Sequence, residues 1–382
     1  MKSITETKYH SFCSGPLTEG CVLCVKGRKL VLFITGLCAQ RCFYCPISEE
    51  KFGKDVIYAN EWKVLDPNNP LEMIEESRMI GALGAGITGG DPLVKIDRCV
   101  EYINLLKKEF GKEFHIHLYT PLKLVSVERL KKLAYAGLDE IRFHPDLDDE
   151  TLWKRINLSL NYNWKIGVEI PCIPGYEQKT KKLIDFISDK VAFLNLNELE
   201  LSDTAIPHYK LEGMIFKQKS GPHYGVAGSK ELGLKLIKYA KGKGLPTHFC
   251  TAKLKDSVQV GERLKNRAKN AAFKFDNITD EGLFIRGVIY LRGLEPAEKY
   301  EERLRHANHE KTLVELRILG KKLQDLGLKM DDYHIDERHL RIVLNESELR
   351  RIVEDIKSVK VMPAIVEEYP TVDSFLIEVE FL

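Results

Sequence analysis

The chain has 382 residues, more than one hydrophobic core usually accommodates, so a large domain and a smaller one are expected. Lys and Arg number 58 against 56 Asp and Glu, a net charge of +2, so no global field selects nucleic acid or an acidic partner. The longest apolar runs, such as Leu30–Ile34, are far too short for a membrane span, and the first ten residues carry no signal-peptide pattern, which predicts a cytoplasmic protein. The 30% of charged residues, rich in Lys and Glu, fits a thermophile.

Residues 1–29 form a Cys-rich segment, read as metal-binding. From residue 30, short apolar runs alternate with helical patterns, the mark of βα units around a parallel sheet. Strands are predicted at Leu30–Thr35, Gly84–Thr88, His115–Tyr119, Asp139–Phe143, Lys165–Ile170 and Asn195–Leu201. Helices with apolar residues at three- and four-residue spacing are predicted at Pro70–Gly81, Ile96–Glu109, Val127–Ala136 and Lys179–Ala192. Six such units suit a partial (β/α)6 barrel of the TIM type over residues 30–275, with a doubly wound sheet as the alternative. Ala205–Ser229 reads as a loop, Lys230–Lys243 as a helix, Thr247–Cys250 as a strand and Lys255–Phe273 as a basic helix. Strand and helix patterns then alternate through residues 280–382, so an α+β domain ends the chain and is read as the substrate or partner domain.

Nine cysteines in a reducing compartment point to metal or redox chemistry, and six of them lie between Cys13 and Cys45. Cys38, Cys42 and Cys45 follow the first strand with CxxxCxxC spacing. Three thiolates on one loop hold three irons of a four-iron cube and leave the fourth open to a small molecule. A closed zinc site wants a fourth ligand.

This run, with Tyr44 before the last cysteine, resembles the signature of the radical S-adenosylmethionine (SAM) superfamily. Together with the Phe33-Ile-Thr-Gly36 lead-in it resembles an archaeal group related to pyruvate formate-lyase activating enzymes. The resemblance implies a [4Fe-4S] cluster, SAM and an electron donor of the ferredoxin or flavodoxin type. It also implies reductive cleavage of SAM to methionine and a 5′-deoxyadenosyl radical that takes a hydrogen from substrate. Gly89 and Gly90, ending the next strand, match the segment that meets the methionyl amino group, with Asp91 in place of the usual Glu. Glu169 and Ile173 stand where relatives pass the adenine. Tyr119 and Arg142, at strand ends, are further candidates for SAM, and Asn197 and Glu198–Glu200 for substrate or ribose.

Cys21 and Cys24 form a CxxC which, with Cys13 and Cys250, makes a second candidate set for zinc, a single iron or an auxiliary cluster. Cys99 and Cys172 read as core. His115 and His117 share a strand face with Tyr119, while His208, His223 and Tyr224 lie in the long loop. The expected function is therefore radical SAM chemistry on an unassigned substrate, a macromolecule such as RNA or protein, or a cofactor precursor. The alternatives are a glycyl-radical enzyme activase and a non-catalytic iron–sulfur or metal-binding protein. Cobalamin-dependent methylation stays open, although there is no Asp-x-His-x-x-Gly run.

Overall fold

The computed structural model describes residues 3–67, 69–211, 224–357 and 360–382. The chain divides into two compact units, Met1–Arg263 and Leu264–Leu382.

The first unit opens with two short strands, β1 (Thr5–Glu6) and β2 (Phe12–Cys13), and the helix α1 (Glu19–Val25). The alternating part follows: β3 (Lys29–Phe33), the hairpin β4 (Ile57–Ala59) and β5 (Trp62–Val64), α2 (Leu71–Met79), β6 (Gly84–Thr88), α3 (Ile96–Phe110), β7 (His115–Pro121) and α4 (Val127–Ala136). Next come β8 (Glu140–His144), β9 (Lys165–Cys172), α5 (Glu177–Ile187), β10 (Phe193–Glu198), α6 (Ser229–Gly242) and β11 (Thr247–Cys250). The sheet order is β1-β2-β11-β10-β9-β8-β7-β6-β3-β4-β5, with parallel pairing from β3 through β11. Each parallel strand sits beside its successor in the chain. A doubly wound sheet would reverse its order at a switch point, so this is the partial barrel, with β11 adding a seventh parallel strand to the six units read from sequence.

Alternation along each strand gives the barrel its two faces. On β3, Leu30 and Leu32 are fully buried in a core shared with Met73 and Ile74 of α2 and with Ile103 and Leu106 of α3. Lys29, Val31 and Phe33 take the opposite face and line an interior cavity. Apolar runs that are continuous rather than alternating elsewhere on these strands reflect burial on both faces.

The helix α7 (Val260–Ala271) follows a π-helical stretch over Leu254–Gln259, where sequence periodicity predicts one uninterrupted basic helix. The second unit contains β12 (Asn277–Ile278), β13 (Phe284–Leu291), α8 (Tyr300–His306), α9 (His309–Asp325), β14 (Tyr333–Asp336), β15 (Arg341–Leu344), α10 (Glu346–Ile356), β16 (Val361–Glu368) and β17 (Leu376–Phe381). Its sheet is antiparallel, in the order β14-β15-β13-β16-β17 with β12 on β13. Leu316 and Leu323 of α9 and Leu349 and Ile352 of α10 pack with Ile289 and Ile342 of the sheet.

Candidate active site

The cysteine loop leaves β3 under several restraints. Thr35 Oγ1 donates to Asp55 Oδ1 at 3.0 Å and accepts from Leu37 N at 3.3 Å, while Arg98 and Lys95 hold Asp55. Lys123 Nζ donates to Ala39 O at 2.9 Å, and Gln40 N donates to Cys38 Sγ at 3.3 Å. The latter is a backbone donor aimed at sulfur, the kind of contact that tunes a cluster. Cys38, Cys42 and Cys45 line one cavity of about 480 Å³, together with Phe33, Tyr44, Gly89, Gly90, Tyr119 and Glu169. Burial pushes the Cys38 thiol up to about 11 and the Cys42 thiol up to about 12, so both keep their protons until a metal displaces them.

The glycine pair locks onto this loop. Gly90 N donates to Thr35 O at 2.8 Å and Asp91 N to Leu37 O at 2.9 Å. A Cβ on Gly90 would stand 2.4 Å from Leu37 O and 2.9 Å from Cys38 Cβ. Glycine is needed here for the approach of two loops as well as for the approach of a ligand. Asp91, expected to face SAM, is fully buried and is not among the residues lining the cavity. Its Oδ1 accepts from Leu93 N at 3.0 Å and from Thr120 Oγ1 at 2.8 Å, capping the turn that starts at Pro92. Burial raises its carboxyl to about 6, against the weaker pull of those two donors.

Tyr44 and His144 close another side. His144 Nδ1 lies 2.7 Å from Glu169 O, which only accepts, so Nδ1 carries the proton and Nε2 accepts from Tyr44 Oη at 2.8 Å. Deeper in, Arg142 Nη1 donates to Glu169 Oε2 and to Tyr119 Oη, both at 2.9 Å, and Nε donates to Glu140 Oε1 at 2.6 Å. Asn195 and Asn197 donate to the two oxygens of Glu169 at 2.9 and 3.0 Å. Burial opposes ionisation of Glu169, but Arg142 and the two amides outweigh it and hold the carboxyl at about 2. Arg142, expected to meet SAM, does not line the larger cavity; it lines a second one.

That second cavity, about 180 Å³, is lined by Cys21, Cys24, Cys250, His248, Lys255 and Arg142, and shares Lys29, Tyr119, Glu169 and Asn197 with the first. Cys21 Sγ accepts from Asn195 Nδ2 at 3.4 Å and from Arg142 Nη2 at 3.6 Å. Burial pushes the Cys21 thiol up, yet Arg142 and His248 together bring it down to about 6. Cys13 stands opposite His248 in the β2–β11 pairing but is not a lining residue. Among the described residues, no three His, Cys, Asp or Glu side chains converge tightly enough to hold a single metal ion.

Of the other sequence candidates, His115 and His117 are buried within the barrel, their ring nitrogens without hydrogen-bond partners, and burial pushes both rings toward the neutral form. Ile173, Cys99 and Cys172 are fully buried. His208 reaches the larger cavity, Tyr224 is exposed, and His223 lies outside the described residues. Glu198 Oε2 accepts from Ala252 N at 3.0 Å, and Glu200 pairs with Lys255 at 2.6 Å. Lys29, Gln40 and His248 belong to these cavities without having been singled out from sequence. The available signal was a lysine opening an otherwise apolar strand and a histidine two residues before Cys250.

A partial barrel whose first parallel strand leads into a loop of three cysteines lining one cavity is the class that fold and site define, and residues 32–170 match the radical SAM superfamily. The chain is 40% identical, over 95% of its length and 92% of the relative's, to protein MJ0021 of Methanocaldococcus jannaschii, whose name provisionally calls it a glycyl-radical enzyme activating enzyme. The chain belongs to the radical SAM superfamily. It is also 29% identical, over 34% of its length and 37% of the relative's, to GTP 3′,8-cyclase of Staphylococcus aureus. Among solved structures, methylornithine synthase matches with a TM-score of 0.37 at 13% identity, over 60% of this chain and 74% of that one. The radical SAM methyltransferase TsrM of Kitasatospora setae matches with a TM-score of 0.33 at 14% identity, over 48% and 38%. Among the described residues, no helix is long and apolar enough to cross a membrane.

Proposed function

We propose that Cys38, Cys42 and Cys45 hold the [4Fe-4S] cluster of this radical SAM enzyme, and that SAM binds in the 480 Å³ cavity beside them. The observation that carries this reading is that one cavity gathers the three thiols, the backbone of Gly89–Gly90 and the Glu169 carboxylate. The donor set fits the group: three soft thiolates serve three irons, and among the described residues no fourth Cys side chain lines that cavity. When bound, the reduced cluster and SAM supply a carbon-centred radical for hydrogen abstraction.

The protein's own residues then bind, orient and exclude. Glu169, ionised and braced by Arg142, Asn195 and Asn197, offers a fixed negative acceptor in the cavity. The Gly89–Gly90 backbone lines the same cavity without side chains that would block a ligand. Tyr44, fixed by His144, and the apolar walls Val31, Phe33 and Pro121 restrict water. Titration of SAM into the dithionite-reduced, reconstituted protein tests this. The electron paramagnetic resonance (EPR) spectrum of the cluster changes on SAM addition, and Glu169→Gln weakens SAM binding about tenfold or more, the scale of one charge-assisted hydrogen bond. A spectrum indifferent to SAM contradicts the reading.

The name of the relative from M. jannaschii favours a second, more specific reading, a protein substrate that receives the radical on a glycine; the radical chemistry itself would draw its electron from a ferredoxin or flavodoxin. Anaerobic incubation with such a partner would produce a glycyl-radical doublet in its EPR spectrum; no doublet in any partner that copurifies contradicts it.

A further inference from the structure

The second cavity has a composition that radical generation does not call for. Cys21 and Cys24 lie one helical turn apart on α1, and so share a face of that helix. Cys250 and His248 alternate on β11 and share a face of that strand. The topology brings the helix face and the strand face together across a cavity of about 180 Å³. Gly20 permits this packing, because a Cβ there would stand 2.7 Å from both Arg142 Nη2 and His117 Nδ1.

Three features show that the cavity is built to receive something. Lys29 is more than nine-tenths buried and lines this space, and among the described residues its ammonium group has no hydrogen bond or ion pair. A buried ammonium group with no carboxylate in contact is costly, and Glu169 acts on it only from a distance, so an anionic occupant beside it would lower that cost. Asn195 Oδ1 and His248 Nδ1, both on residues more than nine-tenths buried, have no hydrogen-bond partner. Finally, three cationic side chains line the cavity; Arg142 pairs with Glu140 and Glu169 and Lys255 with Glu200, which leaves Lys29 as the one without an ion pair among the described residues. The thiol ligating atoms are soft.

We propose that Cys21, Cys24 and Cys250 bind a second iron–sulfur cluster, of the [4Fe-4S] type, in this cavity. The thiols release their protons on binding, and His248 Nδ1 is the donor available to the fourth iron. A cluster fits better than a single zinc ion. A zinc site would draw its donors together at about 2.0–2.3 Å around one point, whereas no three donors converge here and a cavity separates them. The Cys38 loop thiols likewise line a cavity without being drawn together on one point. A thiolate-ligated cluster is also a net anion, which answers the charge of Lys29. Tyr119, Lys29, Glu169 and Asn197 form the wall between the two cavities, so the second cluster stands directly behind the SAM site.

The test compares full-length protein reconstituted anaerobically with iron and sulfide in three forms. These are the parent chain, a Cys38→Ala/Cys42→Ala/Cys45→Ala variant and a Cys21→Ala/Cys24→Ala/Cys250→Ala variant. The parent holds about eight irons and each variant about four, with matching sulfide. The variant lacking the Cys38 loop thiols gives, on reduction, a cluster EPR spectrum that SAM does not alter. The other variant keeps a spectrum that SAM changes, which separates failure of this inference from failure of the SAM site. If the Cys21 set proves necessary for folding, the loop variant alone decides, provided its circular dichroism matches the parent. A loop variant that is folded but holds neither iron nor sulfide, or that holds zinc without sulfide, overturns the inference.

Discussion

Replacing Gly90 with alanine tests the joint between the glycine turn and the cysteine loop. The new Cβ would sit 2.4 Å from Leu37 O, about 0.6 Å inside a 3.0 Å contact, and 2.9 Å from Cys38 Cβ. Neither neighbour is the free end of a flexible side chain, so the loops must separate. The backbone bonds from Gly90 N to Thr35 O and from Asp91 N to Leu37 O resist that movement. Overpacking of this kind costs about 1–3 kcal/mol. A displacement approaching ~1 Å at a reacting centre costs on the order of 10²-fold in rate. The assay is 5′-deoxyadenosine formation by reconstituted, dithionite-reduced protein, with iron content measured on the same sample. Gly90→Ala is expected to retain most of its iron and lose SAM cleavage about 100-fold. Gly242→Ala, where a Cβ meets nothing within 4 Å, serves as the unaffected control. A Gly90→Ala protein cleaving SAM within a fewfold of the parent would refute the close-approach argument.

Three further outcomes are expected. Arg142→Leu strands Glu140 and Glu169 in the interior and should lower the unfolding free energy by about 3–5 kcal/mol in urea titrations; a change below ~1 kcal/mol contradicts the network. Native Asp91 keeps its proton up to about 6 while the unfolded chain loses it near 3.8. The stability it contributes is therefore complete below the lower value and is lost as pH rises through the upper one, an effect of about 3 kcal/mol. The stability advantage of the parent over Asp91→Asn should shrink by most of that amount, about 2.4 kcal/mol, between pH 4 and 7, and a difference flat with pH is the opposing result. Tyr44→Phe removes the bond to His144 Nε2 and should cost about 0.5–1.5 kcal/mol by thermal unfolding while iron content stays unchanged; loss of the cluster would give Tyr44 a larger part than the structure assigns.

The cysteine loop stands out in the sequence because its pattern is local, three thiols within eight residues after a strand, and the structure gathers all three on one cavity. The parallel strands were legible from their apolar runs, and only their boundaries moved by a few residues. The hairpin Ile57–Val64 escaped because its strands are three residues each. Lys29 escaped because a lysine at the start of a strand ordinarily reaches solvent, whereas here barrel closure by α1 buries it. Arg142 was placed with SAM from its position near a strand end. Its side chain instead turns toward Cys21 and Thr18, a contact between distant parts of the chain that no local pattern encodes. Asp91 carried a local signal in the other direction, since Asp before Pro is a capping pair, and the structure uses it so.

Product analysis of the reduced, reconstituted protein tests most directly whether the three loop thiols act through a cluster on SAM. Incubated anaerobically with SAM and dithionite, the parent is expected to form 5′-deoxyadenosine and methionine in equal amounts, and Cys38→Ala, Cys42→Ala and Cys45→Ala each to form none. Equal yields from the parent and the three variants, or no product from a parent whose iron and sulfide are fully loaded, would contradict it.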